Sequence, residues 1–150
     1  MNKLDIKKQA QIISALVEGN SIRATSRMTE TAKGTVLKLL VDIGKACSEY
    51  QNKVFRNLPC KFIQCDEIWA FCYAKDKNVP EDKRGQFGYG DVWTFTALCA
   101  DTKLVPSWYI GNRDLSDATA FMKDLAARKT NLGSGMHIDL IRTGLIFIPD

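Results

Sequence analysis

The sequence lacks the paired cysteines and the histidines that build zinc centres, and its cysteine count does not suit a disulfide framework. Its 150 residues include one histidine, His137, and five cysteines, at positions 47, 60, 65, 72 and 99. A structural zinc site usually takes four thiolate or imidazole ligands in close pairs, and no two cysteines here have the two-residue spacing of such a pair. The odd number of cysteines argues against a disulfide framework. We therefore expect reduced, mostly buried thiols, as in a cytoplasmic protein.

Long apolar runs are also missing. No stretch approaches the roughly 18–20 apolar residues that a bilayer span needs. The first residues, Met1–Asp5, lack the apolar segment of a signal peptide. The sequence accordingly predicts a cytoplasmic location and no membrane partner.

Charge is unevenly distributed along the chain. The whole sequence has 21 basic and 17 acidic residues, a net charge of +4. Residues 1–60 contain 10 basic and 5 acidic residues, a net of +5, whereas residues 61–150 contain 11 and 12, a net of −1. A basic first part indicates a module that binds a polyanion such as DNA. A solvated surface rich in lysine explains the same numbers equally well.

The first part of the chain, residues 1–47, is predicted to be a helical domain. Apolar residues follow helical spacing over residues 5–18, 21–28 and 32–47. In the third helix they recur at alternating intervals of four and three residues, at Val36, Leu40, Ile43 and Cys47. A short helix, a tight turn and a longer helix are typical of the helix-turn-helix, whose second helix enters the major groove of DNA.

The side chains expected to contact DNA lie on the second and third of these helices. At the start of the third helix, Lys33, Thr35 and Lys38 would face base edges and phosphates. Arg23 and Arg27, on the helix before it, could reach phosphates. The alternative is a helical hairpin with a basic solvent face, and the clustering of small polar and basic residues favours DNA binding over it.

The second part of the chain changes periodicity after a connector at residues 48–61. Strands are predicted over residues 62–71, 92–100 and 105–110, followed by a helix that Ser116 caps. Three consecutive strands followed by a helix imply an antiparallel sheet with a helix packed on it, so the chain belongs to the α+β class. The domain is expected to cover residues 62–128.

Asp66 and Glu67 are the residues of this domain that could carry chemistry. Both lie in the middle of an apolar strand, where a carboxylate is costly to bury unless it is paired or binds a metal. Alternation along a strand sends the two side chains to opposite faces, so at most one of them enters any given site. A carboxylate in this position is a reasonable Mg²⁺ ligand for phosphoryl transfer. The alternative is a charge paired with a nearby Lys or Arg.

Long strings of the sequence resemble the transposases of bacterial insertion-sequence elements. In the second part the similar strings are Ile63–Trp69, Phe71–Lys75, Lys77–Glu81, Lys83–Trp93 and Cys99–Trp108. In the first part they are Leu16–Thr25 and Leu39–Cys47, which resemble the DNA-binding part of the same family. The resemblance covers residues 1 to about 128.

The resemblance implies a ribonuclease-H-like catalytic domain that holds Mg²⁺ with an Asp-Asp-Glu triad, and it implies DNA cleavage and strand transfer at the terminal repeats of the element. Asp66 matches the first Asp of the triad, as catalytic residue and metal ligand. The second Asp of the family follows on the strand after the helix that Ser116 is predicted to cap. The Glu comes later, on a helix.

The resemblance ends near Arg128, and residues 129–150 are expected to be a divergent tail. Asp139 lies in this tail, but its flanking residues do not match the family, so we do not assign it as the second Asp. These departures predict a truncated, catalytically inactive transposase. The alternative functions are a DNA-binding regulator that inhibits transposition, alone or with full-length transposase, and a remnant that does not fold usefully.

Overall fold

The computed structural model describes residues 4–128 in full and residues 137–140 as backbone. The chain divides into two compact units, Met1–Val54 and Phe55–Asp150. Within the described ranges, no helix combines the length and the apolar character that crossing a bilayer requires.

The first unit consists of three helices. They are α1 (Ile6–Val17), α2 (Ile22–Met28) and α3 (Lys33–Val54). The Asp5 carboxylate caps α1 by accepting the backbone N–H of Lys8 at 2.7 Å, and the Ser21 hydroxyl caps α2 by accepting that of Ala24 at 3.1 Å. Gly19 has a φ of +82°, a conformation that favours glycine, and it ends α1. The hydrogen bond from the backbone of Ala24 confirms the predicted Ser21 cap.

Helix α3 is longer than the sequence predicted. It continues to Val54, so residues 48–54 of the predicted connector 48–61 are helical. The physical reason is composition, since residues 48–54 include neither Gly nor Pro. The first residues that oppose a helix come later, at Asn57, with a φ of +54°, and at Pro59.

The second unit is built on a four-stranded sheet. Its strands are β1 (Phe62–Cys72), β2 (Gly90–Cys99), β3 (Ser107–Gly111) and β4 (His137–Leu140). The order across the sheet is β3-β2-β1-β4. The antiparallel pairing of β1 with β2 and of β2 with β3 confirms the predicted three-stranded sheet and the α+β class.

Among the described residues, helix α4 (Leu115–Arg128) covers one face of this sheet. Apolar residues alternate along β1 and β2 toward α4 and meet its apolar stripe. The buried cluster consists of Cys60, Ile63, Cys65, Phe95, Ala97, Cys99, Ala118, Phe121 and Leu125. Asp114, rather than the predicted Ser116, caps the helix, because its carboxylate accepts the backbone N–H of Asp117 at 3.0 Å.

Strand β4 lies within residues 129–150, the predicted divergent tail. Its four residues pair parallel with Phe62–Cys65, at the start of β1. Parallel strands need a crossover connection, and α4 lies in the connection between β3 and β4. The other residues of the predicted tail, 129–136 and 141–150, lie outside the described residues.

Candidate nucleic-acid interface

The predicted DNA-contacting residues of α2 share one exposed face. Arg23 and Arg27 stand four residues apart, the spacing that places two side chains next to each other on a helix. Both are exposed, whereas Thr25 between them is fully buried. The geometry therefore leaves both guanidinium groups available to an anionic ligand.

The first turns of α3 expose the other predicted contacts. Lys33, Thr35 and Lys38 are all exposed, and Val36 is the residue of α3 that is buried in the unit. Helical geometry places Lys38 about 160° around the axis from Val36, and Lys33 about 60° from it. Lys38 therefore points away from the packed side of α3. Lys33, in the first turn of α3, lies at the edge of the packed side.

The turn between α2 and α3 is held by hydroxyl groups. Thr29 donates its hydroxyl hydrogen to the carbonyl of Thr25 at 2.7 Å, and Ser26 donates to the carbonyl of Thr31 at 2.6 Å. Thr31 donates to the carbonyl of Thr29 at 3.0 Å. Thr29 and Thr31 are themselves buried. These bonds satisfy carbonyl groups at the end of α2 and in the turn that follows it, and they link Thr31, just before the start of α3, to α2.

The positive charge of the protein belongs to this unit. Residues 1–54 carry 9 basic and 5 acidic residues, a net of +4, and residues 55–150 carry 12 of each, a net of zero. The two values sum to the net charge of the whole chain. Between Ser21 and Val41 there are four basic residues and one acidic residue, Glu30. This distribution supplies the electrostatic attraction that binding to phosphates requires.

Asp66 lies in mid-strand on the face of the sheet opposite α4. Its side chain is exposed, and Oδ1 accepts the backbone N–H of Glu67 at 2.8 Å. The register places Thr96 of β2 beside it and Trp108 of β3 next in the same row. Asp66 is the one carboxylate that β1, β2 and β3 present on this face.

Glu67 lies on the other face and is occupied by a structural contact. Its side chain is 6% exposed, and Oε2 accepts Nε of Arg113 at 2.7 Å. The Arg113 guanidinium in turn lies 4.9 Å from the centre of the Trp93 ring. The expectation that Asp66 and Glu67 would not share a site is therefore confirmed, and Glu67 takes the ion-paired role that was the alternative for both.

The side chains placed by the structure do not complete the Mg²⁺ site that the transposase resemblance implies. Catalysis with two metal ions needs several carboxylates around a common point. Asp66 supplies one, and no group of three His, Cys, Asp or Glu side chains capable of holding a metal occurs among the described residues.

Asp139 lies in β4, beside the strand that carries Asp66. Its register partner on β1 is Gln64, two residues before Asp66. With strands about 4.8 Å apart and about 3.3 Å per residue, the Cα atoms of Asp66 and Asp139 are separated by roughly 8 Å. The residues that flank Asp139 argue against it as the second Asp of the triad, and the backbone places it on the strand that follows α4.

Two ion pairs in the second unit were not predicted from the sequence. Arg113 follows β3 in a polar turn, and nothing in the local sequence links it to Glu67, 46 residues earlier. Asp124 and Arg128 stand four residues apart on α4, which is a recognisable ion-pair spacing. That spacing could have predicted the pair, although not its contact with Ser107 of β3.

No known protein family matches the sequence, and no curated protein is similar to it.

Proposed function

We propose that this chain is a DNA-binding protein of the insertion-sequence transposase type, in which residues 1–54 form a helix-turn-helix domain. The observation that carries the proposal is the group of exposed basic side chains on two consecutive helices, Arg23 and Arg27 on α2 and Lys33 and Lys38 on α3. The expected ligand is duplex DNA, with the terminal repeats of the parent element as the specific site. Residues 62–128, with β4, correspond to the start of a ribonuclease-H-like domain.

Three features support this proposal. The connection between α2 and α3 spans residues 29–32, a short turn typical of the helix-turn-helix. The net charge is confined to the unit that contains these helices. The start of α3 exposes both lysines and the small side chain of Thr35, which suits a helix whose first turns contact base edges and phosphates.

The test measures binding of the full chain to a fluorescein-labelled duplex taken from DNA that flanks its coding sequence. Replacing Lys33 and Lys38 together by alanine should weaken binding roughly tenfold or more, because two phosphate contacts are lost. The matched control replaces Lys77 and Lys123, two exposed lysines of the second unit, and removes the same charge. Equal losses in the two double variants would contradict the proposed interface, because they would reflect net charge alone.

A second candidate function is regulation of transposition, by occupancy of element ends or by association with full-length transposase. The observation that favours it over strand transfer is the single carboxylate, Asp66, on the face of β1, β2 and β3. DNA occupancy needs only the first unit, whereas strand transfer needs further carboxylates.

A labelled duplex carrying the element ends separates regulation from catalysis. The full chain is incubated with it in Mg²⁺ or Mn²⁺, and samples are run on native and denaturing gels. We expect a shifted complex on the native gel and intact strands on the denaturing gel. Cleavage that is lost in both Asp66→Ala and Asp139→Ala would contradict the regulatory function and would assign β4 to a working active site.

A further inference from the structure

Four exposed aromatic side chains lie in or beside the connection between β1 and β2, residues 73–89. Trp69 and Phe71, near the end of β1, are 39% and 48% exposed, and their ring centres lie 5.7 Å apart. Tyr73, which follows β1, is 65% exposed, and Phe87, just before β2, is completely exposed. Aromatic rings usually dominate cores and interfaces, so an exposed group of them indicates a binding surface, here called the aromatic surface.

A hydrogen-bonded turn holds Phe87 in this exposed position. The backbone N–H of Tyr89 donates to the carbonyl of Gln86 at 3.2 Å, which makes Phe87 the second residue of the turn and Gly88 the third. Gly88 has a φ of +88° and Phe87 has a negative φ, the combination that defines a type II turn. Residues 83–86 form a similar turn directly before it, closed by a bond of 3.2 Å. Phe87 is therefore presented to solvent at the corner of an ordered backbone.

Lysine ammonium groups lie over the rings at this end of the sheet. Lys83 Nζ is 5.1 Å from the centre of the Tyr73 ring and 5.2 Å from that of the Tyr89 ring. The two tyrosine rings contact each other edge to face, with their centres 5.1 Å apart. Lys75 Nζ is 4.8 Å from the centre of the Trp69 ring. Rings with cations beside them suit a ligand that has both planar apolar groups and negative charges.

The charge of the connection favours stacking over long-range attraction. Asp76 Oδ1 accepts the backbone N–H of Asp91 at 2.8 Å, and Asp91 Oδ1 accepts that of Asp76 at 3.2 Å, so these two carboxylates close the loop. Lipid headgroups and duplex DNA attract proteins chiefly through excess positive charge, whereas unpaired bases bind to aromatic rings by stacking. Residues 73–91 contain four basic and four acidic residues, namely Lys75, Lys77, Lys83 and Arg84 against Asp76, Glu81, Asp82 and Asp91.

We infer that the aromatic surface, together with Lys75 and Lys83, binds single-stranded nucleic acid by stacking unpaired bases on its rings. A base that stacks on the Tyr73 ring takes the place of the Lys83 ammonium, which then neutralises a neighbouring phosphate. Every base has a planar face, so this binding requires no particular sequence. The site belongs to the second unit, whereas the proposed duplex interface belongs to the first, so neither proposal depends on the other.

Fluorescence anisotropy with three labelled probes tests the class of ligand. The probes are an oligothymidylate of about 16 nucleotides, an oligouridylate of the same length and a duplex of that length. The protein is the full chain with Lys33→Ala and Lys38→Ala, which removes contacts proposed for the first unit. We expect at least about fivefold tighter binding of a single strand than of the duplex, and the better of the two single strands shows whether DNA or RNA is preferred. Equal or tighter binding of the duplex, or no binding of either single strand, would overturn the inference.

Variants of single rings test the position of the site in the same protein. Phe87→Leu and Tyr73→Leu keep an apolar side chain but remove the ring, and each should weaken single-strand binding at least about fivefold. Phe87 is completely exposed, so its replacement leaves the core intact. The matched control is Trp108→Leu, which removes a 44% exposed ring from the opposite face of the sheet and should leave the affinity unchanged. Circular dichroism establishes that all three variants are folded. Equal affinities of the three variants would contradict binding at the aromatic surface.

Discussion

At the residue scale, one partly buried ion pair of α4, Asp124 with Arg128, is also hydrogen-bonded to Ser107 of β3. The Asp124 carboxylate accepts Nε of Arg128 at 2.6 Å and Nη2 at 2.9 Å, and it also accepts the Ser107 hydroxyl at 2.6 Å. Burial raises the pKa of Asp124. Hydrogen bonds from Arg128 and Ser107 and the Arg128 charge lower the pKa by more, so that it lies below its ordinary value of 3.8. The ionised form is therefore the one that the fold stabilises.

This lowered pKa predicts a pH-dependent stability. Because the folded state holds Asp124 ionised more strongly than the unfolded chain does, the pair stabilises the fold above about pH 4 and this contribution is lost as the pH falls through the folded pKa. Asp124→Asn should lower the free energy of unfolding by about 3 kcal/mol at neutral pH, and the difference from the unmodified chain should shrink in acid. This value is at the lower end for a buried charge that loses its partner, because the Asp124 side chain is 34% exposed.

Urea unfolding followed by tryptophan fluorescence measures this effect in the second unit, which contains Asp124. All three tryptophans, Trp69, Trp93 and Trp108, belong to residues 55–150. Asp82→Asn, at an exposed position in the loop before β2, is the matched control and should leave the stability unchanged. A stability difference for Asp124→Asn that stays constant from neutral pH to well below pH 4 would show that the carboxylate charge is not the cause.

At the element scale, α3 contains two glycines that the fold does not require. Nothing lies within 4 Å of a Cβ added at either Gly34 or Gly44, and neither has a positive φ. Alanine at each position should stabilise the helix by about 1 kcal/mol. Gly34 stands on the outward side of the proposed DNA-reading turns, between Lys33 and Thr35, where a missing side chain lets the backbone approach a ligand closely.

The two glycines should therefore respond differently in DNA binding. Gly34→Ala is expected to raise the melting temperature of the helical signal and to weaken binding to the labelled duplex. Gly44→Ala, the matched control further along α3, should give the same stabilisation with unchanged affinity. Circular dichroism and fluorescence anisotropy on the same samples measure both quantities. Unchanged DNA binding by Gly34→Ala would show that the backbone at this position does not approach DNA closely.

Local patterns predicted most helices and the first three strands, and they failed where contacts are distant in sequence. The Ser21 cap and the alternation in β1 depend on neighbouring residues, so the sequence reveals them. Strand β4 pairs with residues about 75 positions earlier, and four residues contain too little pattern to signal that pairing. The candidate DNA-contacting residues could be predicted as a basic, exposed group, whereas the partner of Glu67 could not, because Arg113 is brought to it only by the sheet.

At the scale of the whole molecule, the net positive charge and the candidate catalytic residue Asp66 belong to different units. Residues 1–54 hold the whole net charge of +4, and residues 55–150 are neutral overall. The proposed DNA binding therefore belongs to the first unit, and Asp66 belongs to the second. The proposed DNA binding by the first unit rests on the exposed side chains of Arg23, Arg27, Lys33 and Lys38.

The dependence of DNA affinity on salt tests this claim most directly. The association constant of the full chain for the labelled duplex is measured over a series of salt concentrations. If each of the four basic side chains neutralises one phosphate, the logarithm of the constant should fall with the logarithm of salt with a slope of about −3.6, and the Lys33→Ala, Lys38→Ala double variant should give about −1.8. A slope near zero, or the same slope in the double variant, would contradict DNA binding through these side chains.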